Sequence, residues 1–313
     1  MKVELKQLDV WEQLGQQVKS SLQLKAEVRL FKGLSHALYE LSTGLAFFLD
    51  YKKSLVWQKG CSYAFDFLLP QFYRMSFKAT AFPKAQLSDM DAFVGNLTKD
   101  TLFVLSFADH PITAELYNLI ELDQILNDKK IYHICVHHHP ELTPTDLNPY
   151  SCKISSVSSD FACAELGSRF KTAPQIAHQL DWDSEKSQLE ITNYLKHRVI
   201  SKNSVQSFES QLTGDFKAFL STENRIYDRA IFYNSRINAE ALLQWLKQNK
   251  RWSGGQVSTT SPCYWGIIPD YKNWWDGPIS EDVLRGMILI DAQVLHALSA
   301  NELDAALKDL GSI

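Results

Sequence analysis

The sequence predicts an α/β protein in which a mostly parallel sheet carries helices on both faces and is followed by a smaller α+β domain. Three observations predict it. Short apolar runs alternate with helical patterns of about ten residues, the signature of βαβ units. After about Asp181 the chain turns polar and helical, and its last third is rich in aromatic residues. Of the 313 residues 45% are hydrophobic, enough to bury a sizeable core.

Taken in order, residues 1–30 read as an N-terminal helical arm, with Leu8, Trp11, Leu14 and Val18 at the spacing of one buried helix face. Gly33-Leu34-Ser35-His36 leads into Ala37 to Leu49, a mostly apolar helix. Ser54 to Trp57 fits a buried strand, Tyr63 to Phe72 an aromatic helix, Arg74 to Ala81 a second strand and Asp89 to Leu97 a short helix. Leu102 to Phe107 is the clearest strand and stops at Asp109-His110-Pro111. A helix over Leu116 to Asn127 and strands at Ile131 to Val136 and Cys152 to Val157 complete a large domain, residues 31–180. In the smaller domain, residues 181–313, Trp182 to Phe219 reads as helical and Arg229 to Tyr233 as a strand. Ala239 to Asn249 reads as a helix, Gly286 to Ile290 as a strand, and Ala300 to Leu310 as a final helix.

Composition narrows the function classes. There are 32 Lys and Arg against 36 Asp and Glu, for a formal net charge of −4, so no basic surface for nucleic acid is expected. The apolar stretches fall short of the ~20 residues of a membrane span. Met1 to Val10 lacks the apolar stretch of a signal peptide, and five cysteines without a CxxC pair suit reduced thiols. The expectation is a cytoplasmic protein. Walker, GxGxxG, HExxH and GxSxG motifs are all missing from the sequence.

In an open parallel sheet ligands bind beyond the carboxyl ends of the strands. That rule selects Lys59 to Tyr63, Ala108 to Thr113, His137 to His139 and Ser158-Ser159-Asp160. His133, Cys135, His137 and His139 share one strand face, and imidazole is a good metal ligand. A metal site on His133, His137 and His139, with Glu141 as base, is therefore one alternative; a hydrogen-bonded histidine cluster at the strand end is the other. The Trp265 to Trp275 stretch either stacks a planar ligand or forms an aromatic core.

The order of segments over about residues 30 to 175 resembles the large domain of fold-type I pyridoxal-phosphate enzymes, the aminotransferase class I/II group. Gly33 to Leu38 is similar to the glycine-led turn whose amides hold the cofactor phosphate, through Ser35 and His36. Tyr63 falls where the family stacks an aromatic ring, and Asp109 to Ala114 resembles its Asn-Asn-Pro-Thr-Gly turn. The resemblance also exposes departures. The Asn that contacts the ring oxygen falls at His110, and the Asp that pairs with the pyridinium nitrogen at His137. The Schiff-base lysine falls at Ser159, and the phosphate-binding Arg at Gly167 with Arg169 two residues away.

A fold kept and a chemistry lost is what these departures imply: a binding or assembly protein with no cofactor, a homodimer by family analogy, with a small-molecule ligand. The alternative is an active pyridoxal-phosphate transferase in which Lys171 or Lys153 forms the aldimine. There Ser35, His36 and Arg169 would hold the phosphate, Tyr63 would stack on the ring, and Arg285 would take a substrate carboxylate.

Overall fold

The computed structural model describes residues 13–21, 23–49, 51–59, 68–83, 89–109, 115–137, 147–156, 161–170, 201–219, 225–234, 236–250, 283, 285–292, 295 and 298–311. They fall into two compact units, residues 1–109 with 117–197 and residues 110–116 with 198–313.

The first unit is built on a seven-stranded sheet. Helical residues 13–21 (α1) precede β1 (Glu27–Phe31) and α2 (Gly33–Phe48). Then follow β2 (Ser54–Gln58), α3 (Leu69–Arg74), β3 (Lys78–Phe82) and α4 (Met90–Val94). The unit closes with β4 (Thr101–Phe107), α5 (Ile120–Asp128), β5 (Tyr132–His137), β6 (Ser151–Ser156) and β7 (Ala162–Leu166). The strand order is β1-β7-β6-β5-β4-β2-β3. β3, β2, β4, β5 and β6 run parallel, while β7 is antiparallel to both β6 and β1. Six strands thus point one way and β7 alone is reversed.

Burial explains why these segments are strands. All seven residues of β4 are buried, as befits a central strand covered on both faces. On one face α2 and α3 contribute Leu38, Leu41, Leu45 and Phe72 to a core with Leu55, Phe103, Leu105 and Ile134. On the other, Phe93 of α4 and Leu122 and Leu126 of α5 pack with Val56, Val104 and Cys135. Within apolar α2, buried Ser42 donates to the Leu38 carbonyl at 2.5 Å, so its hydroxyl is satisfied inside the helix.

Three strands depart from the sequence expectation, one of them the short strand at residues 217–218, inside the stretch read as helical. Residues 27–30, read as the end of a helical arm, form β1 together with Phe31, because Val28 and Leu30 alternate with Arg29 and Phe31 and pair with β7. Residues 162–166, within Ser155 to Phe170, a stretch similar in sequence order to the one that carries the family's Schiff-base lysine, form the fully buried β7. Its Ala, Cys and Ala side chains are too small to stand out as a strand signal.

The second unit holds α6 (Lys202–Ser210), β8 (Lys217–Ala218), β9 (Arg229–Tyr233), α7 (Ala239–Lys250), β10 (Met287–Asp291) and α8 (Ala300–Leu310). Its sheet is antiparallel, in the order β10-β9-β8. Phe208, Phe232, Leu242, Leu243, Leu246, Ile288 and Leu303 form its core. Arg225 and Glu209 pair at 2.7 Å in the interior, and Glu209 also accepts the Ile231 amide at 3.0 Å, fastening α6 to β9. Residues 182–200, part of the stretch Trp182 to Phe219 read as helical, lie outside the described residues.

Candidate functional site

The candidate site is the edge of the first sheet formed by the carboxyl ends of its parallel strands. From β2 the chain adds β3 on one side and β4, β5 and β6 on the other, so the topological switch point lies between β2 and β4, where open α/β sheets place ligands. The two strands part there. Their pairing ends at Trp57 and Leu105, while β4 continues beside β5 to Phe107 and Val136. The Phe107 amide, without a backbone acceptor on β2, donates to the Gln58 side-chain oxygen at 3.0 Å. This leaves the Gln58 Nε2 buried and, among the described residues, without a hydrogen-bond partner.

His137 ends β5, buried, with its Nε2 3.2 Å from the Cys135 thiol. Its register neighbour on β6 is Ser155, also buried. Asp109, just past β4, is 2% exposed. The face carrying His137 is unusually polar for a sheet interior. Ser106, Cys135, Lys153 and Glu165 occupy one row across four strands, and His133 lies one step nearer the amino ends.

A hydrogen-bonded chain runs through this face. The His133 Nδ1 lies 2.5 Å from Asp123 Oδ1 on α5, and its Nε2 2.7 Å from Ser106 Oγ. Asp123 also accepts from Ser151 Oγ at 2.5 Å and from the Asn148 side-chain amide. Burial works against its charge, but the bonds from His133, Ser151 and Asn148 outweigh it and hold the carboxyl below its ordinary range. Cys135 is the register neighbour of Ser106 on β5, and its thiol is pushed up to about 12, chiefly by burial. Asp, His and Ser in this order resemble a hydrolytic triad, yet Ser106 is 0% exposed in the middle of β4, so no substrate carbonyl reaches it.

The structure sorts the sequence-predicted residues. Ser35 and His36 lie in the first turn of α2, which follows β1 after Gly33 at φ 81° and therefore opens at the same edge as His137. His36 caps its own helix, accepting from the Lys32 amide at 3.3 Å, and faces Glu40 at 3.7 Å. Lys153 lies inside β6, beside Cys135 and Glu165. Arg169 lies at the opposite edge: it follows the reversed β7, its amide donates to the Pro149 carbonyl at 2.8 Å, and its carbonyl accepts from Tyr132, which opens β5, at 3.1 Å. Arg285 stands exposed before β10 in the second unit. Tyr63, His110, His139, Glu141, Ser159, Lys171 and Trp265 to Trp275 lie outside the described residues.

The metal alternative loses support. Both ring nitrogens of His133 are engaged, by Asp123 and Ser106, which leaves neither for a metal. His133 and His137 are also about 13 Å apart along the strand, too far to share an ion. Among the described residues no group of three or more metal-ligating side chains comes together. Gln58 and Cys135 were not singled out as site residues by sequence. Gln58 ends an apolar run just before the first switch-point turn, and that position was the available signal.

Among the described residues at this edge, the one that the resemblance places opposite the cofactor's ring nitrogen is not a carboxylate. It is His137, an imidazole bonded to a thiol. β6 and β7 are paired up to Ser156 and Ala162, so residues 157–161 form the whole connection, and their sequence Val-Ser-Ser-Asp-Phe offers no amine. Arg169 lies at the amino edge, opposite the edge at which α2 opens.

The fold itself is that of the fold-type I pyridoxal-phosphate-dependent enzymes. Similar solved structures include a NifS-like protein, at a TM-score of 0.67 and 11% identity over 98% of this chain and 87% of that one. The cysteine desulfurase CsdA of Escherichia coli has a TM-score of 0.67 and 11% identity over 98% and 86% of the two chains. Ureidoglycine-glyoxylate aminotransferase of Bacillus subtilis has a TM-score of 0.62 and 10% identity over 97% and 85%. No family model matches the chain, and no curated protein matches it in sequence.

Proposed function

We propose that this chain is a binding protein built on an aminotransferase-like fold, one that performs no pyridoxal-phosphate chemistry and takes a small polar molecule at the carboxyl edge of its sheet. The observation that carries the reading is the β6–β7 connection. Residues 157–161 span it without a lysine, and the nearest preceding one, Lys153, is held within β6. Without an amine at that place there is neither a covalent anchor nor the base that moves a proton between substrate carbons. What the edge does offer is the buried Gln58 Nε2 beside the switch point, without a hydrogen-bond partner among the described residues. A buried polar group is costly unless paired, so this amide favours a ligand that completes its bonding. A homodimer is part of the proposal by family analogy.

Two measurements test it. Native mass spectrometry of the purified protein is expected to show a non-covalent small molecule, weakened by Gln58→Leu. Titration with pyridoxal phosphate is expected to give no aldimine absorbance band. An aldimine band abolished by substituting one lysine would overturn the reading.

A further inference from the structure

The net charge of −4 conceals an uneven distribution. At the amino edge of the first sheet, opposite the candidate site, α2, α3 and α5 end and β2, β3, β4 and β5 begin. Exposed cations gather there: Arg74 and Lys78 around the start of β3, Lys99 before β4, Lys129 and Lys130 before β5, and Arg169 after the reversed β7. None of these forms an ion pair among the described residues. The described acidic residues of the edge are Glu27, Asp100 and Asp128, and Glu27 is taken up by Arg29 at 2.9 Å. Part of the charge has a local cause. Arg74, Lys129 and Lys130 lie at the carbonyl ends of α3 and α5, where a cation offsets the helix dipole. Lys78, Lys99 and Arg169 border strands, whose net dipole is small, so their gathering has no such cause.

Aromatic rings share the edge. Phe47, in the last turn of α2, is 75% exposed, Tyr51, before β2, 70%, and Tyr73, in the last turn of α3, 54%. Among the described residues only Tyr39 and Ile120 are large exposed hydrophobic side chains elsewhere. We propose that the amino edge is a docking surface for an acidic segment of a partner protein, whose carboxylates meet Lys78, Lys99 and Arg169 and whose apolar side chains cover Phe47, Tyr51 and Tyr73. Charge complementarity selects an anionic occupant, and three features select a protein. Aromatic residues and Arg are the types enriched in protein interfaces. Phosphates favour helix N-termini with their free amides, whereas α2, α3 and α5 present carbonyl ends here, against a phosphodiester or a phospholipid headgroup. The chain outside this edge carries net negative charge, so a long polyanion running past the edge is repelled and a short acidic segment is not. The inference does not rest on ligand binding at the carboxyl edge.

The test is fluorescence anisotropy of the full chain with a labelled peptide of Glu, Asp, Leu and Phe and with labelled oligo-deoxythymidine, beside co-sedimentation with phosphatidylglycerol vesicles. The peptide is expected to bind more tightly than the other two, and less tightly as salt is raised. Lys78→Glu and Lys99→Glu should each weaken it about fivefold. Lys217→Glu, the same charge change at an exposed position of the second unit, should leave it unaltered. Phe47→Ser combined with Tyr51→Ser should weaken it about tenfold at constant charge. All of these side chains are exposed or half-buried, and urea midpoints equal to the wild type verify the fold of each variant. No binding of the peptide, tighter binding of the oligonucleotide or the vesicles, an equal loss in Lys217→Glu, or no loss without the two rings overturns the inference.

Discussion

Asp123 Oδ1 and His133 Nδ1 meet at 2.5 Å, and this contact joins α5 to β5 across the interior of the first unit. His133 is 2% exposed and Asp123 21%, so the bond is sheltered from water and is worth more than a surface pair. Asp123→Asn should destabilise the protein by about 2 kcal/mol, because it weakens a charge-assisted bond and disturbs those from Ser151 and Asn148. Urea unfolding of the two proteins at neutral pH checks this.

The same carboxyl predicts a pH dependence. Its folded-state pKa lies below the unfolded value, so its contribution is present above the unfolded pKa of about 4 and is lost as pH falls through the folded one. Glu165 has the opposite sign, since burial raises its pKa despite the opposing Lys153. Its contribution is present below about pH 4 and lost as pH rises. Glu165→Gln should therefore raise the unfolding midpoint at pH 7 relative to pH 3, while Asp123→Asn should flatten the acid limb. Midpoints across this range measure both.

How much of this was legible in the sequence depended on the kind of signal. β4 was readable because a run of large apolar residues has no other use in a covered sheet, and α7 because Leu242, Leu243 and Leu246 recur at helical spacing. β7 was not, since Ala162, Cys163 and Ala164 fit a loop as well as a strand until β1 and β6 enclose them. Missing β7 had a consequence for the site. Arg169 stood close to the cofactor motif in sequence, but the reversed strand carries it to the opposite edge. Asp123 escaped notice as a partner of His133 because ten residues and a helix separate them, and only packing brings them together.

Three thiols are expected to be inert. Cys135, Cys152 and Cys163 are all buried, and burial pushes the first up to about 12 and the second well above its ordinary value. Alkylation of the folded protein at pH 8 followed by peptide mapping should leave all three unmodified, and unfolding in urea should expose them together.

Gly167 allows a close approach at the amino edge, where a Cβ would lie 2.3 Å from the Asn148 carbonyl oxygen and 2.6 Å from that of Pro149. Both contacts are with backbone, so relief requires moving the turn. Gly167→Ala should cost about 2 kcal/mol or more, measured by urea unfolding.

In the second unit, Arg225 is fully buried and Glu209 nearly so. Glu209→Gln should be strongly destabilising, by about 3 kcal/mol, because it leaves an uncompensated buried guanidinium. Thermal unfolding of the variant beside the wild type checks it.

The edge of this aminotransferase-like sheet is expected to form no bond to pyridoxal phosphate. Borohydride reduction of the full chain incubated with the cofactor, followed by intact mass and peptide mapping, tests it most directly. An unchanged mass, with no lysine carrying a pyridoxyl group, is the result predicted; stoichiometric labelling of a single lysine, Lys153 or Lys171 above all, would contradict it.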